Sequence, residues 1–415
     1  MKRVFTGLLA TLVAGTVATI AYAQDLVITN ASLHIGDGSD VVENADIIVE
    51  QGRIQQIGAD LKLPTDVQII DANHQPVTPA FFAGATVSGL VEVSAVSESG
   101  DSDYEALYTE LMHPEFDVRM AYNPLSTVIG VTRIEGFGYA LLSATAGDRS
   151  ISGTGGLVRF DGGFESFEGK SVLFVELSGY SADNAGGSRA AHWMLLHQAF
   201  DELERGAELA LLSTQGKKAL ADIKDNGVIV FNVNRATDIM QVIKFANAQK
   251  IQAVIHGGRE AWIVADALAE AQIPVMLNAL DNLPANFDSL GSRLDNAALL
   301  TQAGVTVMFS SGETHNARKV RQLAGNAVAN GMPMGAAIEA MTTAPATIFG
   351  GQDRSARKGA IADLVLWSGD PLDVSSVAQQ VIINGKLDPM ISRQTLLRDR
   401  YMDESTMPRA YSRPK

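Results

Sequence analysis

At 415 residues, with 46% hydrophobic residues and 38 glycines, the chain can bury a sizeable core, or a core plus a satellite unit, so disorder is not its default. It contains no cysteine, which excludes disulfides, zinc–thiolate sites and cysteine nucleophiles together. A formal charge of −15 disfavours nucleic-acid partners and says nothing specific about a substrate.

The first residues read as an address. Lys2 and Arg3 precede an apolar run from Val4 to Ile20, and Ala21-Tyr22-Ala23 has the small-x-small form of a signal-peptidase site. The run is short and rich in Ala, Gly and Thr, which favours a cleaved signal peptide (1–23) over a membrane anchor. The expected location is periplasmic or secreted, with no stable membrane insertion. Small-molecule substrates or ligands are the expected partners, and self-association into a homo-oligomer is compatible with the composition.

Residues 24–76 alternate short strands with turns. Leu26-Val27-Ile28, Ala45–Glu50, Arg53–Gly58 and Val67–Ile70 all read as β, and Gln51-Gly52 as a hairpin turn. The stretch Val77–Leu90 reads as the first strand of a large α/β unit extending to about residue 356. Within that unit Ser126–Glu135 looks helical and Gly138–Ala144 strand-like. Residues from about 150 to 180 look β-rich and irregular, as an insertion would. Helices fit Arg189–Arg205 and Thr214–Asn226. Then strands alternate with helices: Val228–Asn232, Ala253–His256, Pro274–Asn278 and Thr306–Ser310, with helices at Asp238–Gln249, Glu260–Glu270, Asp295–Ala303, Asn316–Asn330 and Pro333–Thr343. That succession predicts a (β/α)8 TIM-like barrel. Two further strand signatures, Lys358–Trp367 and Val381–Lys386, fall in 357–390, and 391–415 reads as a helical tail with a loose end.

These motifs resemble the amidohydrolase superfamily. Gly36-Asp37-Gly38, Gly52-Arg53-Ile54-Gln55-Gln56-Ile57-Gly58, the Lys358–Trp367 strand and Val381–Lys386 are similar to the flanking sandwich of that family, and Val77–Leu90 to its first barrel strand. The resemblance implies that the C-terminal strands join the N-terminal ones, both ends of the chain building one composite β-sandwich beside the barrel. It implies hydrolysis of C–N bonds other than peptide bonds, in cyclic amides, imidazolone-like rings or N-capped amino acids. It also implies divalent metal held by a His-x-His pair, a carboxylated Lys or Glu, two further histidines and an Asp. Here Ala85 and Val87 stand where the His pair is expected, Asn232 where an isolated His is usual, and Ser311-Gly312 in place of Thr-Asp. Only His256 matches a ligand position, and one ligand makes no metal site.

Three readings remain open. The fold could persist as a ligand-binding or scaffold protein without catalysis. His256, Glu260, Glu313 and His315 could form a rebuilt acid/base site at the barrel mouth, with Asn232, Asn234, Arg235 and Arg259 binding substrate. Or the metal ligands could lie in another register. Each residue also has a structural alternative. His256 could be a hydrogen-bonded structural histidine, Glu260 a helix-end charge, Glu313 and His315 loop residues, and the two asparagines partners for backbone groups. Gly153-Thr154-Gly155-Gly156 reads as a turn rather than a phosphate loop, since no Lys-Ser/Thr follows. His192 and His197, five apart, suit helix packing better than a shared metal. Ser88 and Ser143 lack a nucleophile-elbow context. Glu92, Asp101 and Asp103 read as solvated loop acids that could line the mouth.

Overall fold

A computed structural model describes residues 25–94, 96–104, 112–145, 149–205, 209–312 and 314–402. The expected signal peptide, Glu313 and the end of the tail lie outside the described residues.

The N-terminal segment supplies β1 (Leu26–Leu33), β2 (Val42–Glu50), β3 (Arg53–Gly58), β4 (Gln68–Asp71) and β5 (Pro76–Pro79). The middle of the chain supplies β6 (Phe81–Thr86), β7 (Phe137–Leu142), β8 (Ile151–Arg159), β9 (Phe167–Glu176), β10 (Val228–Val233), β11 (Ala253–Gly257), β12 (Val275–Leu277) and β13 (Val307–Phe309). The C-terminal segment adds β14 (Leu364–Trp367), β15 (Ala378–Ile383) and β16 (Lys386–Leu387). Sheet order follows from this: β6 to β13 form one eight-stranded sheet in chain order, and the strands from the two chain ends form another, joined where β14 pairs with β5.

The first sheet is a barrel. Its closure is marked where Ser310, just after β13, accepts a hydrogen bond from the Ala85 amide of β6 at 3.1 Å. Gly84 makes that approach feasible, because a Cβ there would sit 2.8 Å from the Ser310 Cα. Helices cover the outside: α1 (Thr127–Arg133), α2 (Gly179–Asn184), α3 (Arg189–Asp201), α4 (Thr214–Asn226), α5 (Ala236–Gln249), α6 (Ala265–Glu270), α7 (Asn296–Gln302), α8 (Val320–Ala329), α9 (Met334–Met341) and α10 (Thr343–Phe349). An eleventh helix, α11 (Arg393–Met402), carries no buried residue. No helix among the described residues is long and apolar enough to cross a membrane.

Two expectations need correcting. Residues 150–180 are no insertion: they are β8 and β9, two strands of the barrel wall, and β8 runs antiparallel to both neighbours. The Gly153–Gly156 run therefore lies inside a strand. Its glycines hide the side-chain alternation that marks a strand in sequence, yet they are needed, since a Cβ on Gly155 would fall 2.0 Å from the Leu142 carbonyl oxygen. The second correction concerns Val77–Leu90, which is not one strand. Pro76–Pro79 belong to the composite sheet, whereas Phe81–Thr86 belong to the barrel. Consecutive amides show the hand-over: Ala80 donates to Asp363 in the composite unit, and Phe81 donates to Gly136 beneath the barrel.

The junction between the two sheets is packed and polar at once. Trp367 of β14 stacks on Phe81 with ring centroids 5.1 Å apart, and its Nε1 donates to Thr78 at 2.9 Å. Arg354, fully buried, pairs with Glu168 of β9 at 2.6 Å and with Asp363. Two such carboxylates compensate a buried guanidinium that would otherwise be very costly.

Candidate active site at the barrel mouth

Side chains at the C-terminal ends of the parallel barrel strands face a cavity of about 230 Å³. Register sets its wall. Glu176 ends β9 opposite Asn232 of β10, and Asn232 lies opposite His256 of β11. Three adjacent strands thus present a carboxyl, an amide and an imidazole at one level. Ser143, Thr145 and Ser152 add hydroxyls to the same cavity.

Asn232 Nδ2 donates to Glu176 Oε2 at 2.5 Å, and the Ser178 amide donates to Glu176 Oε1 at 3.3 Å. Burial pushes the Glu176 carboxyl above the usual range, and these hydrogen bonds oppose the shift without cancelling it. Burial also pushes His256 down to about 4, although its ring keeps some surface open to the cavity. The His256 side chain makes no hydrogen bond among the described residues. Both shifts favour the uncharged form, as burial does for any ionisable group.

The remaining sequence candidates do not gather here. Glu260 is buried, and both its oxygens accept backbone bonds, from the Ala236 amide at 3.0 Å and the Gly291 amide at 2.9 Å. It holds the start of α5 and a rim loop, and it does not line the cavity. His315 is exposed beside Asn316, outside the cavity lining. Glu313 lies outside the described residues. Arg235 pairs with Asp238 at 2.9 Å, and Arg259 with Asp281 at 2.9 Å, so both cations are engaged away from the cavity. Asn234 sits just beyond β10, where its buried Oδ1 lacks a partner and lies 2.6 Å from where a Cβ on Gly257 would be. Of the seven candidates among the described residues, His256 and Asn232 line the cavity.

Among the weaker signals, Ser143 does line it, whereas Ser88 is tied to Thr86 at 2.9 Å. Asp103 pairs with Arg149 at 2.7 Å, and Glu92 lies on the exposed rim. His192 is buried on α3, and His197 packs on Phe245 at 5.0 Å, so both pack helices. Glu176 was missed. Its signal was present, an acid closing the apolar run Val172-Leu173-Phe174-Val175, but that run had been assigned to an insertion.

The donor set does not fit the metal centre that the resemblance implies. Ala85 and Gly312 line the cavity at positions expected to ligate or shuttle a proton, and neither has a donor side chain. Among the described residues no group of three or more His, Cys, Asp or Glu side chains could hold a metal ion.

No family sequence model and no curated protein sequence matches this chain. Solved structures do match along nearly its whole length. An amidohydrolase from Thermotoga maritima MSB8 superposes with a TM-score of 0.77 at 20% identity, covering 89% of this chain and 100% of that one. Molinate hydrolase gives a TM-score of 0.56 at 14% identity over 95% of this chain and 100% of the other. A beta-aspartyl dipeptidase from Fervidobacterium islandicum AW-1 gives 0.51 at 14% identity, covering 89% and 98%. With the barrel, the composite sheet and these superpositions together, the chain has the fold of the amidohydrolase superfamily.

Proposed function

We propose that the barrel mouth binds a small, uncharged polar molecule with amide-like donors and acceptors, and does so without a metal ion. The observation that carries this reading is the Glu176–Asn232–His256 row around the cavity. An anionic ligand would lose its hydration there without meeting a cation, whereas an amide would exchange water for matched hydrogen bonds. Cyclic amides and imidazolone-like rings fit this better than N-capped amino acids, which carry a carboxylate.

Hydrolysis of a C–N bond is the second reading. It is favoured by Glu176, because a carboxyl raised by burial can give up a proton to a leaving nitrogen. Export of the protein is part of the proposal, supported by Lys2, Arg3, the apolar run and Ala21-Tyr22-Ala23.

Binding and turnover should be measured with a panel of cyclic amides on protein of known metal content, expected to be well under one ion per chain. Glu176→Gln, which keeps the shape and one acceptor oxygen, should bind within a few-fold of the parent, and Glu176→Ala at least about tenfold more weakly, the loss of roughly one buried hydrogen bond. Product formation abolished in Glu176→Gln would favour hydrolysis; ligand-induced stabilisation without product would favour binding alone. Two tightly held zinc ions per chain would overturn the metal-independent reading.

A further inference from the structure

The end of the barrel opposite the mouth carries a second pocket, of about 210 Å³, where β13 begins between α7 and α9. Its walls are mostly apolar: Val305 and Val307 come from the β13 segment, and Met332, Ala336 and Ala340 from α9 and the turn before it. Among the described residues, Glu339 is the one ionisable group that lines it.

Three facts make this carboxyl costly where it stands. It lies in the last turn of α9, the end at which the helix dipole disfavours an anion. It is half-buried, and burial alone pushes it above the usual carboxylate range. Among the described residues no hydrogen-bond donor and no cation meets it. Arg357, on the segment after α10, is paired with Asp37 instead.

The fold nevertheless makes room for it. Gly38 has a φ of +78°, and a Cβ there would lie 2.8 Å from Glu339 Oε2. The Gly36–Gly38 turn is seated on α9 and its C-terminal end: a Cβ on Gly335 would lie 2.7 Å from the Gly38 carbonyl oxygen, and Thr342 Oγ1 lies 3.0 Å from the Gly36 carbonyl oxygen. Thr301, also in the lining, donates its hydroxyl proton to the Ala297 carbonyl at 2.9 Å, so toward the pocket it can only accept. The exposed Thr306 adds a hydroxyl that can turn either way. A carboxylate beside an acceptor-only hydroxyl suits a group made entirely of donors, and the aliphatic walls suit a hydrocarbon attached to that group.

We propose that this pocket binds a primary alkylammonium, its charge against Glu339 and its chain against Val305, Val307, Met332 and Ala340, at a site separate from the barrel mouth. The proposal is independent of what the mouth binds. The full chain should be titrated at constant ionic strength with n-butylammonium, tetramethylammonium and 1-butanol, following calorimetric heat and the thermal midpoint. Saturable binding of n-butylammonium is expected, weakened at least about tenfold in Glu339→Gln, which removes the charge and keeps the shape. That variant relieves an uncompensated anion, so its amine-free midpoint should equal or exceed the parent's. Glu176→Gln, altered at the mouth, should leave amine binding unchanged. Tighter binding of n-butylammonium than of Nα-acetyl-lysine amide would assign the site to a free amine, and the reverse order to a lysine side chain. Binding that does not saturate, that Glu339→Gln leaves intact, or that tetramethylammonium or 1-butanol matches would overturn the proposal.

Discussion

Residues at the mouth differ less in type than in what surrounds them. Glu176, half-buried, and Glu260, buried, both follow barrel strands, yet one faces the cavity and the other accepts from two backbone amides. Histidines divide in the same way: His256 faces the cavity, and His192 sits within α3 with its Nε2 buried and unpartnered. Burial depresses His192 to about 4, below its ordinary 6.5. The unfolded chain therefore takes up a proton first as pH falls, and stability is lost progressively between about 6.5 and about 4. The contribution is on the order of 3 kcal/mol, from about 2.5 units at about 1.4 kcal/mol per pKa unit. Comparing urea midpoints at pH 7 and pH 5 in the parent and in His192→Gln should show a flatter profile in the variant. Parallel profiles would mean that His192 is not the group that titrates. None of this environment is legible from a histidine in a helical stretch, because neighbours distant in sequence supply it.

Elements of the barrel's second half matched the sequence reading closely. Thr214–Asn226 is α4, and the apolar runs beginning at Val228 and Ala253 are β10 and β11, since each is bounded by turns and buried on both faces. The first half was harder to read. Strand β8 carries three glycines, and its reversal makes β7–β8–β9 an antiparallel meander in a wall otherwise expected to alternate with helices. Those glycines are steric requirements. Gly155→Ala should cost about 1–3 kcal/mol or more through overpacking against Leu142, whereas Gly130→Ala on α1, where nothing lies within 4 Å, should stabilise by about 0.5–1 kcal/mol. Chemical denaturation of both variants checks the contrast, and equal midpoints would contradict the tight β7–β8 contact.

For the whole molecule, the decisive feature is how two sheets share one chain. The composite sheet takes strands from both ends, and the buried Arg354, Glu168 and Asp363 cluster ties it to the barrel. Removing the cation while keeping its bulk, as in Arg354→Met, would leave Asp363 buried without its cation and Glu168 with only Arg159, 3.9 Å away, at a cost of about 3–5 kcal/mol. A fall in the thermal midpoint that is partly restored by adding Asp363→Asn would support this account; an unchanged midpoint would refute it.

By itself the sequence determined the fold class, the composite sheet and the vacancy of ligand types at Ala85, Val87, Asn232 and Gly312, because strand periodicity, turn residues and side-chain chemistry are local properties. Tertiary structure alone decided which polar residues meet. Register across β9, β10 and β11 brings Glu176 into line with Asn232 and His256, and that alignment depends on pairing between residues as far apart in sequence as Glu176 and Asn232, which no local pattern encodes. The same long-range packing spent Glu260, Arg235 and Arg259 on structure, although the sequence offers them for chemistry equally well.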